Sequence, residues 1–122
     1  MMSINNKYEV LSFAASYCDG ANPLHRLGCL GGKLYINDDV AVFKPHSFNI
    51  GDCRDRIIPI THISGYKKGI AAWMYVFFDN GKTIQLSVWN KNAVINALET
   101  RRLSIYAKHE RQAPTLVINP NL

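Results

Sequence analysis

One hairpin constrains this chain more than any other segment. Residues 72–88 are two apolar runs joined by Asp79-Asn80-Gly81, a strong short-range signal for an antiparallel β-hairpin. Side chains alternate across a sheet, so a slip of one residue exchanges the buried face for the exposed one. A two-residue Asn80-Gly81 turn pairs Phe77 with Ile84, Tyr75 with Leu86 and Trp73 with Val88. A type I turn with Gly81 as a left-handed bulge residue instead pairs Phe78 with Lys82, Val76 with Ile84 and Met74 with Leu86. The first register gathers the large apolar groups, and pattern alone slightly favours it. The second buries Met74, Val76, Ile84, Leu86 and Val88, and leaves Trp73, Tyr75 and Phe77 opposite Thr83, Gln85, Ser87 and Trp89.

The segments before this hairpin also read as strands. Val10, Leu11, Phe13 and Tyr17 within 8–18 suit an extended segment, broken at Asp19-Gly20-Ala21-Asn22-Pro23. Over 31–37, Leu34 and Ile36 alternate with Lys33, Tyr35 and Asn37; Asn37-Asp38-Asp39 turns the chain, and 40–44 returns. Pro59 makes the short strand 56–60 an edge or a bulged one, and 63–68 follows. After the hairpin, Asn90 is placed to cap a helix by accepting from first-turn N–H groups, and Trp89 and Val94 have the spacing of a hydrophobic staple. Val94, Ala97, Leu98, Arg101 and Ile105 recur at helical spacing between Lys91 and about Lys108. A lone helix of this size is marginal in water, so it must dock. Pro114 and Pro120 flank Thr115-Leu116-Val117-Ile118, which reads as an added strand, as a flap over the aromatic face, or as an unpaired tail.

A chain of 122 residues, 48% hydrophobic and 19% charged, supports one domain with its own core. We assign it to 1–109, with 110–122 as a tail. Cys18, Cys29 and Cys53 are odd in number, so no disulfide framework is indicated; small apolar thiols in a reducing cytosol are expected. The longest apolar run, 70–78, is far short of a bilayer span, and Met1 is followed by a polar, mixed segment rather than a leader. A cytoplasmic protein, at most peripheral at the inner membrane surface, is the expectation. The net charge of +5 gives a mild attraction to acidic surfaces. Its distribution is scattered, with Lys67-Lys68 and Arg101-Arg102 the adjacent basic pairs, and Arg54 and Arg56 alternating with Asp52 and Asp55. That pattern describes a solvated surface more than a polyanion site. No basic, aromatic-interleaved stripe and no helix-turn-helix is present, so nucleic acid is not an expected partner.

Consecutive strands closed by an amphipathic helix suit a small bent barrel. The stretch Gly32-Lys33-Leu34-Tyr35-Ile36-Asn37-Asp38-Asp39-Val40-Ala41-Val42-Phe43-Lys44-Pro45-His46-Ser47-Phe48-Asn49 resembles the signature hairpin of GRAM domains, members of the pleckstrin-homology-like superfamily. Ile58-Pro59-Ile60 with Ile63, and Asp79-Asn80-Gly81-Lys82 with Ile84 and Leu86, are similar to later parts of that family. Val40-Ala41 departs from it, standing where the family usually has a polar or basic residue and a large aliphatic one. The resemblance, over roughly 9–108, implies a mainly β fold: a bent barrel of two near-orthogonal antiparallel sheets capped by a C-terminal helix. It also supports the bulged hairpin register, because the family's core positions fall on Met74, Val76, Phe78, Ile84 and Leu86.

Catalytic patterns are weak. Gly28-Cys29-Leu30-Gly31-Gly32-Lys33 has the wrong spacing for a phosphate loop, and a strand rather than a helix follows it. Cys18, Cys29 and Cys53 with His25, His46, His62 and His109 show no zinc-ligand spacing, no Gly-x-Ser-x-Gly elbow occurs, and Asp38-Asp39 lies in a turn. No enzyme, metal or cofactor is expected. Lipid-binding members of the superfamily present basic residues around the first hairpin loop; here that region offers His25, Arg26 and Lys33, enough for weak acidic-lipid attraction. Trp73, Tyr75, Phe77 and Trp89 would form an exposed apolar patch, the kind of surface that meets a protein partner or a second copy. A binding module is therefore expected, with protein contact or homo-oligomerisation first, acidic lipid second and a small hydrolase a distant third.

Overall fold

Extended backbone is satisfied only by a neighbouring strand. In the computed structural model, which describes residues 10–19, 29–46 and 54–119, most strands find that partner next to them in sequence. β1 (Leu11–Asp19), β2 (Leu30–Ile36), β3 (Ala41–Pro45) and β4 (Arg56–Ile58) form one antiparallel meander. β5 (Ile63–Lys68), β6 (Trp73–Phe78) and β7 (Thr83–Ser87) form another. β1 joins the two, its residues 16–19 pairing with β7. β8 (Val117–Asn119) adds to β5 in parallel, so part of the tail belongs to the sheet. The order is β4-β3-β2-β1-β7-β6-β5-β8, and the sheet stays open between β4 and β8. With one C-terminal helix, the architecture is mainly β, as expected.

The β6–β7 hairpin takes the bulged register, against the slight preference of its pattern. Met74 opposes Leu86 and Val76 opposes Ile84. Phe78 N–H donates to the Lys82 carbonyl at 2.9 Å, and Gly81 sits at φ +88°, a conformation open to glycine and strained for other residues. The inner space explains the choice. It is shared with the helix and the first meander, and Met74, Val76 and Leu86 fill it to zero exposure beside Leu34, Ile36, Phe43 and Leu98. Three large rings at 73, 75 and 77 would overpack that volume. On the same inner side, Tyr17 stacks on Phe43 with ring centroids 5.2 Å apart.

The helix α1 (Lys91–Lys108) begins as the sequence implies, with Asn90 Oδ1 accepting from Ala93 N–H at 3.0 Å. Val94, Ala97 and Leu98 enter the core, and Ile105 packs at its margin. The staple does not form. Val88 points inward, so alternation turns Trp89 outward, where it is 90% exposed. Arg101 and Arg102, which read as an adjacent basic pair, are both buried. Arg101 Nε donates to the Asn37 carbonyl at 3.2 Å. Arg102 Nε pairs with Glu99 Oε1 at 2.9 Å, and its Nη2 donates to the Pro114 carbonyl at 2.9 Å. Glu99 Oε1 also accepts from Tyr66 Oη at 3.0 Å, so one carboxylate links helix to β5.

The cysteine expectation is overturned. β1 and β2 pair Tyr17 with Leu30, which brings Cys18 and Cys29 opposite each other with Cα atoms 4.6 Å apart, and they are disulfide-bonded. An odd count hid a pair that only the hairpin register reveals. The cytoplasmic expectation loses the support it drew from free thiols. Cys53 lies outside the described residues.

Candidate functional site

The register that buries Met74 and Val76 sends Trp73, Tyr75 and Phe77 to the outer face of the sheet, and Lys67, Gln85 and Cys18 join them there. These residues line up across four strands, Cys18 on β1, Gln85 on β7, Tyr75 on β6 and Lys67 on β5, with Cys29, just ahead of β2, bonded to Cys18 at the end of the row. The middle of that row is not open. Cys18 is 4% exposed, Gln85 is fully buried and Tyr75 is 9% exposed. Lys67 Nζ lies 5.4 Å from the Tyr75 ring centroid, laying its stem along the sheet. Gly69 lets the ring approach the β5–β6 turn, since a Cβ there would meet Tyr75 Cε2 at 3.1 Å. The expected aromatic patch is therefore divided, with Tyr75 buried between half-buried Trp73 and Phe77.

Trp89 stands apart at the end of the sheet. It borders a shallow trough of about 330 Å³ whose floor is small side chains, among them Ala14, Ser16, Gly31 and Ser87. At this same end the β5–β6 turn carries Ile70, 82% exposed. The turn is tied to the helix start by Lys91 Nζ donating to the Gly69 carbonyl at 2.9 Å, and to the end of β7 by Val88 N–H donating to the Ala72 carbonyl. Between Lys67 and Leu98 the single carboxylate is Asp79, at the far end of the hairpin, paired with His62 Nδ1 at 3.0 Å. The hairpin and helix start thus bring Lys67, Lys68 and Lys91 to the Trp89 end and contribute no carboxylate of their own there.

Of the residues expected to attract lipid, Lys33 is exposed on β2, opposite Ala14 in register and so on the trough side of the sheet. His25 and Arg26 lie outside the described residues. A larger cleft of about 800 Å³ opens at the opposite end, between Ile57 and Pro59 on one side and Asn80–Ile84 on the other. Tyr17 Oη donates to Asp19 Oδ1 at 3.0 Å within it, and burial with the Asp19 charge holds that hydroxyl well above the usual tyrosine range. Neither cysteine nor histidine occurs among its described lining residues. Among the described residues no group of three or more His, Cys, Asp or Glu converges to hold a metal, and no helix is long and apolar enough to cross a membrane.

No family model matches the sequence, and no curated protein matches it. Solved structures share the fold. The C-terminal domain of an unknown protein from Leishmania infantum superposes with a TM-score of 0.59 at 17% identity, over 80% of this chain and 87% of that one. A chain of the Spt16D–Pob3N heterodimer gives a TM-score of 0.52 at 12% identity, over 76% of this chain and about half (49%) of that one. At such identities the likeness concerns the fold alone.

Proposed function

We propose that this chain is a pleckstrin-homology-like domain of the GRAM type, its sheet bent at β1 into two near-orthogonal layers, acting as a non-catalytic binding module. Its partner is a protein, or a second copy, met at the margin of the outer sheet face: Trp89, the trough beside it, Trp73 and Phe77. The observation that supports this most is the exposure of Trp89, an indole left 90% in water next to a concavity. Tryptophan is among the residues most enriched at contact centres, and burying one is worth about 2–3 kcal/mol at about 25 cal/mol per Å² before association costs. A heterodimer among the fold neighbours is compatible with this reading and adds little weight to it. The test is Trp89→Ser in the full chain, read by light scattering and by pull-down. Loss of a dimer or of a captured partner at unchanged thermal stability supports the reading; unchanged association removes Trp89 from it.

Acidic lipid is the second reading, favoured by Lys67, Lys68 and Lys91 around Ile70, with no carboxylate in residues 67–78. Each lysine at an anionic surface contributes about 1 kcal/mol. Vesicles with and without anionic lipid separate the two readings: salt-reversible binding that Ile70→Asp abolishes favours lipid.

A further inference from the structure

We propose that two copies of this chain associate by exchanging β8, the strand of one copy pairing with β5 of the other. β8 is joined to the helix by residues 109–116, of which Arg111, Gln112, Pro114 and Thr115 are exposed, and it lies at an edge with no strand beyond it among the described residues. Its hold on the domain is short. Backbone pairing runs from Gly65, Tyr66 and Lys67 to Val117, Ile118 and Asn119, Arg102 Nη2 donates to the Pro114 carbonyl, and Leu116 packs at the core margin. All of these contacts involve residues beyond the hinge, so the same segment from a second copy makes them equally well.

The hinge is where the closed and exchanged forms differ. In the closed form Arg111 N–H donates to the Tyr106 carbonyl and Glu110 N–H to the Ala107 carbonyl, each at 3.0 Å, closing the helix with Glu110 at φ +55°. That left-handed position normally takes glycine, and a glutamate there is strained. A straightened hinge frees Glu110 from it, while association entropy opposes the dimer, so concentration sets the balance. This exchange is independent of the Trp89 surface.

The test uses the full chain. Light scattering over a wide concentration range gives the mass, and isotope-filtered NMR on a mixture of labelled and unlabelled chains reads whether residues 65–67 contact 117–119 of another copy. The expected result is a dimer that grows with concentration and shows interchain contacts. Glu110→Gly, which permits the closed turn without strain, should raise the dimer dissociation constant by roughly thirtyfold or more, because the strain is removed at each of the two hinges. A wild-type chain monomeric at every concentration overturns the proposal. So does a dimer with only intrachain 65–67 to 117–119 contacts that Trp89→Ser dissolves, an outcome that would uphold the Trp89 surface instead. An exchanged dimer indifferent to Glu110→Gly overturns the role given to the hinge.

Discussion

On β6 and β7 the inward residues Met74, Val76, Ile84 and Leu86 are all at most 6% exposed, whereas the outward residues range from fully buried Gln85 to half-buried Trp73, Phe77, Thr83 and Ser87. The inner face is a conventional core, packed against the helix and the first meander. Among the described residues the outer face is closed along one row, by the Cys18–Cys29 bond at one end and the Lys67 side chain at the other. Its open part is therefore the margin. That difference places a contact surface at Trp89 rather than at the centre of the aromatic row, where Tyr75 is already occupied by its own neighbours.

The sharpest way to break this distinction is to truncate one apolar side chain on each side of the sheet. Leu98→Ala, fully buried between the helix and the inner face of the sheet, should cost about 2–5 kcal/mol in urea unfolding. Phe77→Ala, half-buried on the outer face, should cost less than half as much despite removing a larger side chain. Equal losses would mean that the outer face is a second core. The next largest effect concerns the disulfide. Its two cysteines are separated by 11 in sequence, and closing a loop of that size contributes roughly 3 kcal/mol to stability in the chain-entropy account. Adding reductant, or Cys29→Ser, should lower the denaturation midpoint accordingly. No change on reduction would show that the outer row is held by packing alone.

Much of the fold could be read from the chain, because strand alternation, the Asn90 cap and the helical spacing of Val94, Ala97 and Leu98 are local signals. The hairpin register could not be settled locally. Both registers satisfy the alternation rule, and the choice depends on how much volume the helix and Phe43 leave between them. The cysteine pair was hidden for a similar reason: residues 18 and 29 become neighbours only once Tyr17 is known to face Leu30. Two cysteines bracketing the first hairpin loop were the signal available. The buried arginines were also illegible, since Arg102 needs Glu99 one turn earlier and the Pro114 carbonyl from the tail to be tolerated inside. As for the site, Trp89 is legible among the contact residues, while the burial of Tyr75 depends on two neighbouring segments, Lys67 and Gly69 at the end of β5 and Gln85 on β7.

The smallest effect tests the inner face through its polar edge. Tyr66, fully buried on β5, donates to Glu99, and burial followed by the Glu99 charge raises its hydroxyl well above its ordinary value of 10.0. In the unfolded chain this group ionises near that ordinary value, while in the folded chain it keeps its proton. Above pH 10 the unfolded state thus binds fewer protons, so this contribution to stability is complete below pH 10 and falls as pH rises past it. Tyr17, also raised by burial, adds to the same alkaline slope. Tyr66→Phe should cost about 1 kcal/mol at neutral pH, the net worth of the lost hydrogen bond, with Glu99 still held by Arg102. Because phenylalanine has no proton to lose, the variant's stability should decline less steeply in alkali. The two denaturation curves should therefore converge above pH 10, and a gap that stays constant would show that the Tyr66 hydroxyl is not shielded from water as its burial implies.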